Sequence, residues 1–183
     1  MPEYRRVRIH GGTVFITFVT YDRMPILTSQ TARQILGDVW RSVAKRNPFT
    51  TDAICLLPDH IHVLMTLPEN DFDYSLRIRE IKRLFTMEYL STDGEIVSRN
   101  RSHINKKEAT VWQRRFWEHT IKDEQDYQNH FDYIHYNPVK HGFVKDVSLW
   151  AWSSFHRYIS LGVYESGWGD GFDQRTNDVD FGE

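Results

Sequence analysis

Two histidines separated by one residue, His60 and His62, stand in LLPDHIHVLMTL (Leu56 to Leu67), a run that otherwise reads as a buried strand. Successive side chains on a strand point to opposite faces, so His60, His62, Leu64 and Thr66 share one face. Ile61, Val63, Met65 and Leu67 share the other, which is wholly apolar and anchors the strand under helices. The imidazoles then stand side by side on the more polar face, roughly 6–7 Å apart along the strand, where they can grip one metal ion. A His-x-His pair on a strand is also common as plain structure, so the pair alone leaves both readings open.

A second polar pair lies on a helix beginning at Asp123, where Tyr127, Phe131 and Ile134 make a core stripe at three- and four-residue spacing. At about 100° per residue, Tyr133 is displaced by ~120° from Tyr127, and Tyr136 by about 180°. Tyr127 is therefore expected in the core and Tyr136 outside. Tyr133 falls at the edge of the buried face, with Asn137 one turn later on the same flank. A helix laid across a sheet can aim both at a site on the sheet, although amphipathic packing accounts for any single tyrosine.

The elements that would position these residues are legible in order. TVFITFVTY, Thr13 to Tyr21, is β-branched and aromatic and reads as a first strand. Ala32, Ile35, Leu36, Val39, Trp40 and Val43 fit a helix capped by Thr28 or Ser29 and stopped at Asn47-Pro48. Ala53 to Leu57 is a second strand, turned by Pro58-Asp59 into the histidine strand. Asp73 to Leu90 is a second helix with Tyr74, Ile78, Ile81, Phe85 and Tyr89 on one face. The polar stretch from Ser91 to Thr110 reads as a long loop. A short strand within Trp112 to Ile121 and the Asp123 helix, running to about Asn137, complete the order β-α-β-β-α-β-α. That order predicts an α+β fold, a ferredoxin-like antiparallel sheet with helices packed on one face.

A chain of 183 residues is long enough for one substantial core, and its 40 % hydrophobic and 26 % charged residues are ordinary for a soluble domain. No apolar run spans a bilayer, the N-terminus has no signal-peptide core and the single Cys55 lies in an apolar strand, so a cytoplasmic protein is expected. The net charge of −2 is unevenly spread. Residues 165–183 hold six acidic residues and one basic, leaving 22 basic against 19 acidic in residues 1–164. Residues 1–164 read as one domain and 165–183 as an acidic tail. Basic residues concentrate at Arg5, Arg6 and Arg8 and between Arg77 and Lys122, interleaved with aromatic ones. This suits a phosphate backbone with stacked bases, and equally a solvated charged surface.

PDHIHV (Pro58 to Val63), WQRRFWEH (Trp112 to His119), DYIHYNPVKHGFV (Asp132 to Val144) and WSSFHRY (Trp152 to Tyr158) together resemble the REP-associated tyrosine transposases. These are relatives of the single-tyrosine, His-hydrophobic-His (HUH) transposases of insertion sequences. The resemblance covers nearly the whole chain, departing from the pattern in the long loop from Ser91 to Thr110. It implies an HUH nuclease architecture and a metal-dependent endonuclease and strand transferase acting on single-stranded DNA with REP-type hairpins. His60 and His62 match the family's metal pair, Tyr133 its nucleophile, and Asn137 the polar residue that completes coordination of Mg²⁺ or Mn²⁺. Contacts to DNA are expected from Arg5, Arg6, Arg8, Arg79, Lys82, Arg83, Arg114, Arg115, Trp117 and Lys140. A monomer is expected, with a dimer open.

The implied chemistry needs these residue types. A tyrosine hydroxyl with a pKa of about 10 is a weak nucleophile at neutral pH, and a phosphodiester repels attack by its charge. A divalent cation withdraws that charge and stabilises the leaving 3′-oxygen. Two readings from other classes compete. A non-catalytic hairpin-binding protein could use the same basic surface and would be indifferent to Tyr133→Phe. A zinc hydrolase would need a third strong ligand, and His119, His130 and His135 show no fixed ligand spacing to His60 and His62.

Overall fold

The computed structural model describes residues 9–92 and 111–169. β1 (Thr13–Val19) leads through a 3₁₀ turn to α1 (Gln30–Arg46), β2 (Thr50–Leu56), β3 (His60–Thr66) and α2 (Tyr74–Ser91). After residue 110 come β4 (Trp117–Thr120), α3 (Glu124–Lys140), a second 3₁₀ turn and the short α4 (Phe155–Ser160). Ser29 caps α1 by accepting from the Ala32 N–H, Asp73 caps α2 and Asp123 caps α3. The strands form one antiparallel sheet in the order β2-β3-β1-β4, with β3 inserted between the strands that α1 connects. This is the expected α+β sheet.

The expectation of helices on one face needs correction. Val14, Ile16, Phe18, Ile61, Val63 and Met65 pack under α1 and α2. Phe15, Ala53, Cys55 and Leu64 point the other way and are also fully buried, under Phe131, Tyr133 and Ile134 of α3. Apolar residues on both faces of β1 and β2 require cover on both, so α3 crosses the face that carries the histidines.

The segment after α3 closes the edge of β2. Leu56 N–H donates to the Trp152 carbonyl, Ser154 N–H to the Ile54 carbonyl and the Trp150 indole to the Leu56 carbonyl. These bonds satisfy an edge that would otherwise be open to pairing with another chain. Behind them, His135 lies wholly buried with Nε2 2.8 Å from Ser154 Oγ and Nδ1 2.9 Å from Tyr164 Oη. The Tyr164 hydroxyl in turn donates to Asp132. Tyr164 and the adjoining Trp168 both pack into this second core.

Burial pushes the His135 imidazole down to about 3. An unfolded histidine takes up its proton near pH 6.5 while the folded one stays neutral, so stability falls as pH drops below 6.5. From this group alone we expect a loss of about 2 kcal/mol between pH 6.5 and pH 5. Urea unfolding at the two values should show it, and His135→Gln should reduce the difference. An equal difference in that variant would assign the acid sensitivity elsewhere.

Arg77, inside the basic stretch, is not a surface residue. It is 2 % exposed, with its guanidinium donating to Asp71 at 2.5 Å and to the Asp73 and Pro48 carbonyls. It locks the start of α2 to the loops beside it.

Candidate active site

β3 and α3 bring together residues some seventy positions apart in sequence. The His60 and His62 rings stand 4.8 Å apart, edge to face, and the His62 ring meets the Tyr133 ring at 5.4 Å. Both histidines are buried, His62 completely. Each is oriented through Nδ1. Asp59 Oδ1 lies 2.6 Å from His60 Nδ1, and Thr17 Oγ1 lies 2.8 Å from His62 Nδ1 across the β1–β3 register. Partners of this kind fix ring tautomer and direction in metal-binding histidines, directing Nε2 to the ligand.

Asp59 is itself held. Burial pulls its carboxyl up, but the hydrogen bonds and charges of His60 and Arg23 outweigh it and keep it below the usual carboxylate range. Arg23 reaches Asp59 at 3.0 Å from a left-handed backbone position, φ 51°. A non-glycine residue held there is costly unless its surroundings fix it, as the bond to Asp59 does here.

Tyr133 is not at a helix edge. It is 4 % exposed, its ring set edge-on against Phe15 and His62. The helix buries a broad face in the sheet rather than a narrow stripe, which takes in Tyr133, His130 and Asn137 together. Tyr127 and Tyr136 are half-buried, so the first is less central and the second less exposed than their wheel positions predict. Asn137 is fully buried, one turn after Tyr133.

α3 continues past Pro138 to Lys140, and this added turn brings Lys140 back over Tyr133. Its Nζ donates to Tyr133 Oη at 3.0 Å and lies 4.7 Å from the ring centroid. His141, just after the helix, packs edge-on against His60 at 5.2 Å. Sequence reasoning missed Asp59, Thr17 and His141 as supports of the site. Only Asp59 carried a local signal, as the residue preceding His60.

The remaining basic positions are dispersed. Arg79, Lys82 and Arg83 ride on α2, which covers the other face of the sheet. Arg83 is paired with Glu80 at 2.8 Å. Lys82 donates to the Gln113 and Arg114 carbonyls, and burial pulls it down to about 8. Arg114 and Arg115 are exposed ahead of β4. Trp117 is half-buried on β4 and stacks on His119. Arg5, Arg6 and Arg8, most of the 91–110 loop and the acidic tail beyond Gly169 lie outside the described residues.

A further group of donors gathers beside the site. His119, Asp126 and His130 hold ligand atoms within 4.8 Å of one another, a cluster suited to a metal ion. Asp126 and His130 are one helical turn apart, and β4 brings His119 to them. His135 is committed to Ser154 and Tyr164.

Residues 9–137 match the family described as IS200-like transposases. An Escherichia coli (strain K12) REP-associated tyrosine transposase is 43 % identical over 169 residues, covering 92 % of this chain and 91 % of the relative. A Haemophilus influenzae protein assigned to the same group is 44 % identical over 169 residues, with 92 % and 94 % covered. A solved REP-associated tyrosine transposase bound to a REP hairpin superposes with a TM-score of 0.76 at 42 % identity, covering 94 % of each chain. By the extent of these matches, this chain belongs to the REP-associated tyrosine transposases of the IS200-like family.

Proposed function

We propose that the chain cuts and rejoins single-stranded DNA folded into REP-type hairpins, with Tyr133 as nucleophile and with His60, His62 and Asn137 as holders of a divalent cation. The observation that carries this reading is the convergence of Tyr133 with the His60–His62 pair, each imidazole braced through Nδ1 by a separate side chain. The hairpin substrate rests on family membership and on the solved relative bound to a REP hairpin.

Two imidazoles and an amide carbonyl fit Mn²⁺ better than Mg²⁺ on ligand softness, and both accept the phosphate oxygens that would fill further positions. Bound there, the cation would withdraw charge from the phosphate and stabilise the departing oxygen. Lys140 acts on the other reactant. Its ammonium group against Tyr133 Oη favours the phenolate and fixes the oxygen for attack. The phenolic proton passes to solvent as the Oη–P bond forms, and the P–O3′ bond breaks to leave a free 3′-OH. The phosphoester energy is kept as a 5′-phosphotyrosine, so a 3′-OH can reverse the step and join DNA without ATP. The catalytic unit is taken as residues 1–164 and the acidic tail as an appendage to it.

Incubation with a 3′-labelled single strand carrying a REP-type hairpin tests this directly. Label should migrate with the protein on a denaturing gel in the presence of Mn²⁺ or Mg²⁺. Tight hairpin binding with neither cleavage nor adduct would leave a DNA-binding protein without catalysis.

A further inference from the structure

We propose that His119, Asp126 and His130 form a second metal site, separate from the His60–His62 pair, for a transition-metal ion of the Zn²⁺, Co²⁺ or Ni²⁺ class. The residues come from two elements that the sheet and α3 bring face to face: His119 from β4, and Asp126 and His130 from the first two turns of α3. The His119 and His130 rings stack nearly parallel, 12° apart at 4.6 Å, with the Asp126 carboxylate serving both. His119 Nε2 lies 2.8 Å from Oδ2 and His130 Nδ1 lies 3.1 Å from Oδ1.

Those separations approach the edge of a tetrahedron around zinc, about 3.3 Å for bonds of about 2.0–2.1 Å. Two imidazoles and one carboxylate are the donor set of a borderline ion, since Mg²⁺ and Ca²⁺ prefer all-oxygen shells. Asp126 is held in place before any ion arrives. Its N–H is capped by Asp123, and its Oδ2 also accepts the Lys122 N–H. His119 and Asp126 side chains are 23 % and 18 % exposed, which admits an ion and a water, while His130 is fully buried. One bond opposes binding through Nδ1: His130 Nδ1 is 2.8 Å from the Asp126 carbonyl, and a coordinating ion must displace it.

The two sites do not merge. The Phe15 ring contacts His62 at 5.6 Å and His130 at 4.8 Å, placing a phenyl group against both. An ion at His119, Asp126 and His130 would tie β4 to the start of the helix that bears Tyr133, three residues beyond His130. The inference stands whether or not Tyr133 is a nucleophile.

Calorimetric titration of the full chain with Co²⁺ tests it, with visible ligand-field absorption as a second readout. The natural chain should take two equivalents, and His119→Gln, which keeps an N–H for Asp126, should take one. The His60→Ala/His62→Ala chain should retain one equivalent with tetrahedral-type bands. Adding His119→Gln to it should weaken that binding at least tenfold, with circular dichroism verifying the fold. Unchanged stoichiometry in His119→Gln, or loss of all binding in His60→Ala/His62→Ala while the fold persists, would overturn the proposal. Should the double histidine variant not fold, the comparison of His119→Gln with the natural chain decides alone.

Discussion

Tyr133→Phe is expected to remove DNA cutting altogether while leaving the protein folded and able to bind hairpins. The hydroxyl is the nucleophile in the proposed reaction and nothing beside it can substitute, so the loss should be on the order of 10⁴-fold or more. The structural cost is small for a specific reason. Tyr133 keeps its ring contacts with Phe15 and His62 as a phenylalanine, and the Lys140 ammonium that donates to its hydroxyl belongs to an exposed residue that can turn to water. Stability should fall by about 1 kcal/mol, the scale of one hydrogen bond. Tyr127→Phe and Tyr136→Phe should keep the adduct, because those side chains lie outside the cluster around His62. Mass spectrometry that places the nucleotide on Tyr127 or Tyr136, or cutting that persists in Tyr133→Phe, would sink the assignment.

The sheet was legible because its signals are local. Period-two alternation in HIHVLMT sorts His60 and His62 from Ile61, Val63 and Met65, and the structure keeps that sorting. Cover on both faces is also written in β1, where Val14, Ile16 and Phe18 point one way and Phe15 and Val19 the other. Tyr133 was misplaced for a different reason. A helical wheel defines one stripe from the most apolar residues, whereas the sheet and the segment after α3 together bury a sector wide enough to include Tyr133, His130, His135 and Asn137, each of which carries polar atoms. Such residues reach the core only when their polar tips find partners, and some of those partners lie outside the helix altogether. Ser154 and Tyr164 serve His135, and Lys140 serves Tyr133. Pro138 reads as a helix stop, yet the helix runs on through it to Lys140, which is why that lysine's place over the tyrosine escaped sequence reasoning. The Thr17–His62 contact depends on the β1–β3 register, which no single stretch of sequence encodes.

Replacing the imidazoles should separate cutting from binding. His60→Ala and His62→Ala are each expected to abolish cleavage of a labelled hairpin while hairpin affinity, measured by filter binding at fixed salt, changes only a few-fold. His62 is completely buried and stacked on Phe15, so its removal leaves a cavity in the second core and should cost about 2–3 kcal/mol, to be checked by thermal unfolding. A gentler variant isolates the chemistry. Thr17→Val removes the oxygen beside His62 Nδ1 and keeps the shape, so the ring loses its orientation and metal affinity should drop by about 10–100-fold. Cleavage by Thr17→Val should therefore recover as Mn²⁺ is raised, whereas His60→Ala should stay inactive at any concentration. Asn137→Ala should fall between them, since water can replace a neutral amide ligand. Natural protein stripped by a chelator and still cutting at its full rate would remove the metal from the reaction. Thr17→Val, folded but dead at all Mn²⁺ concentrations, would show that the hydroxyl does more than hold His62 in place.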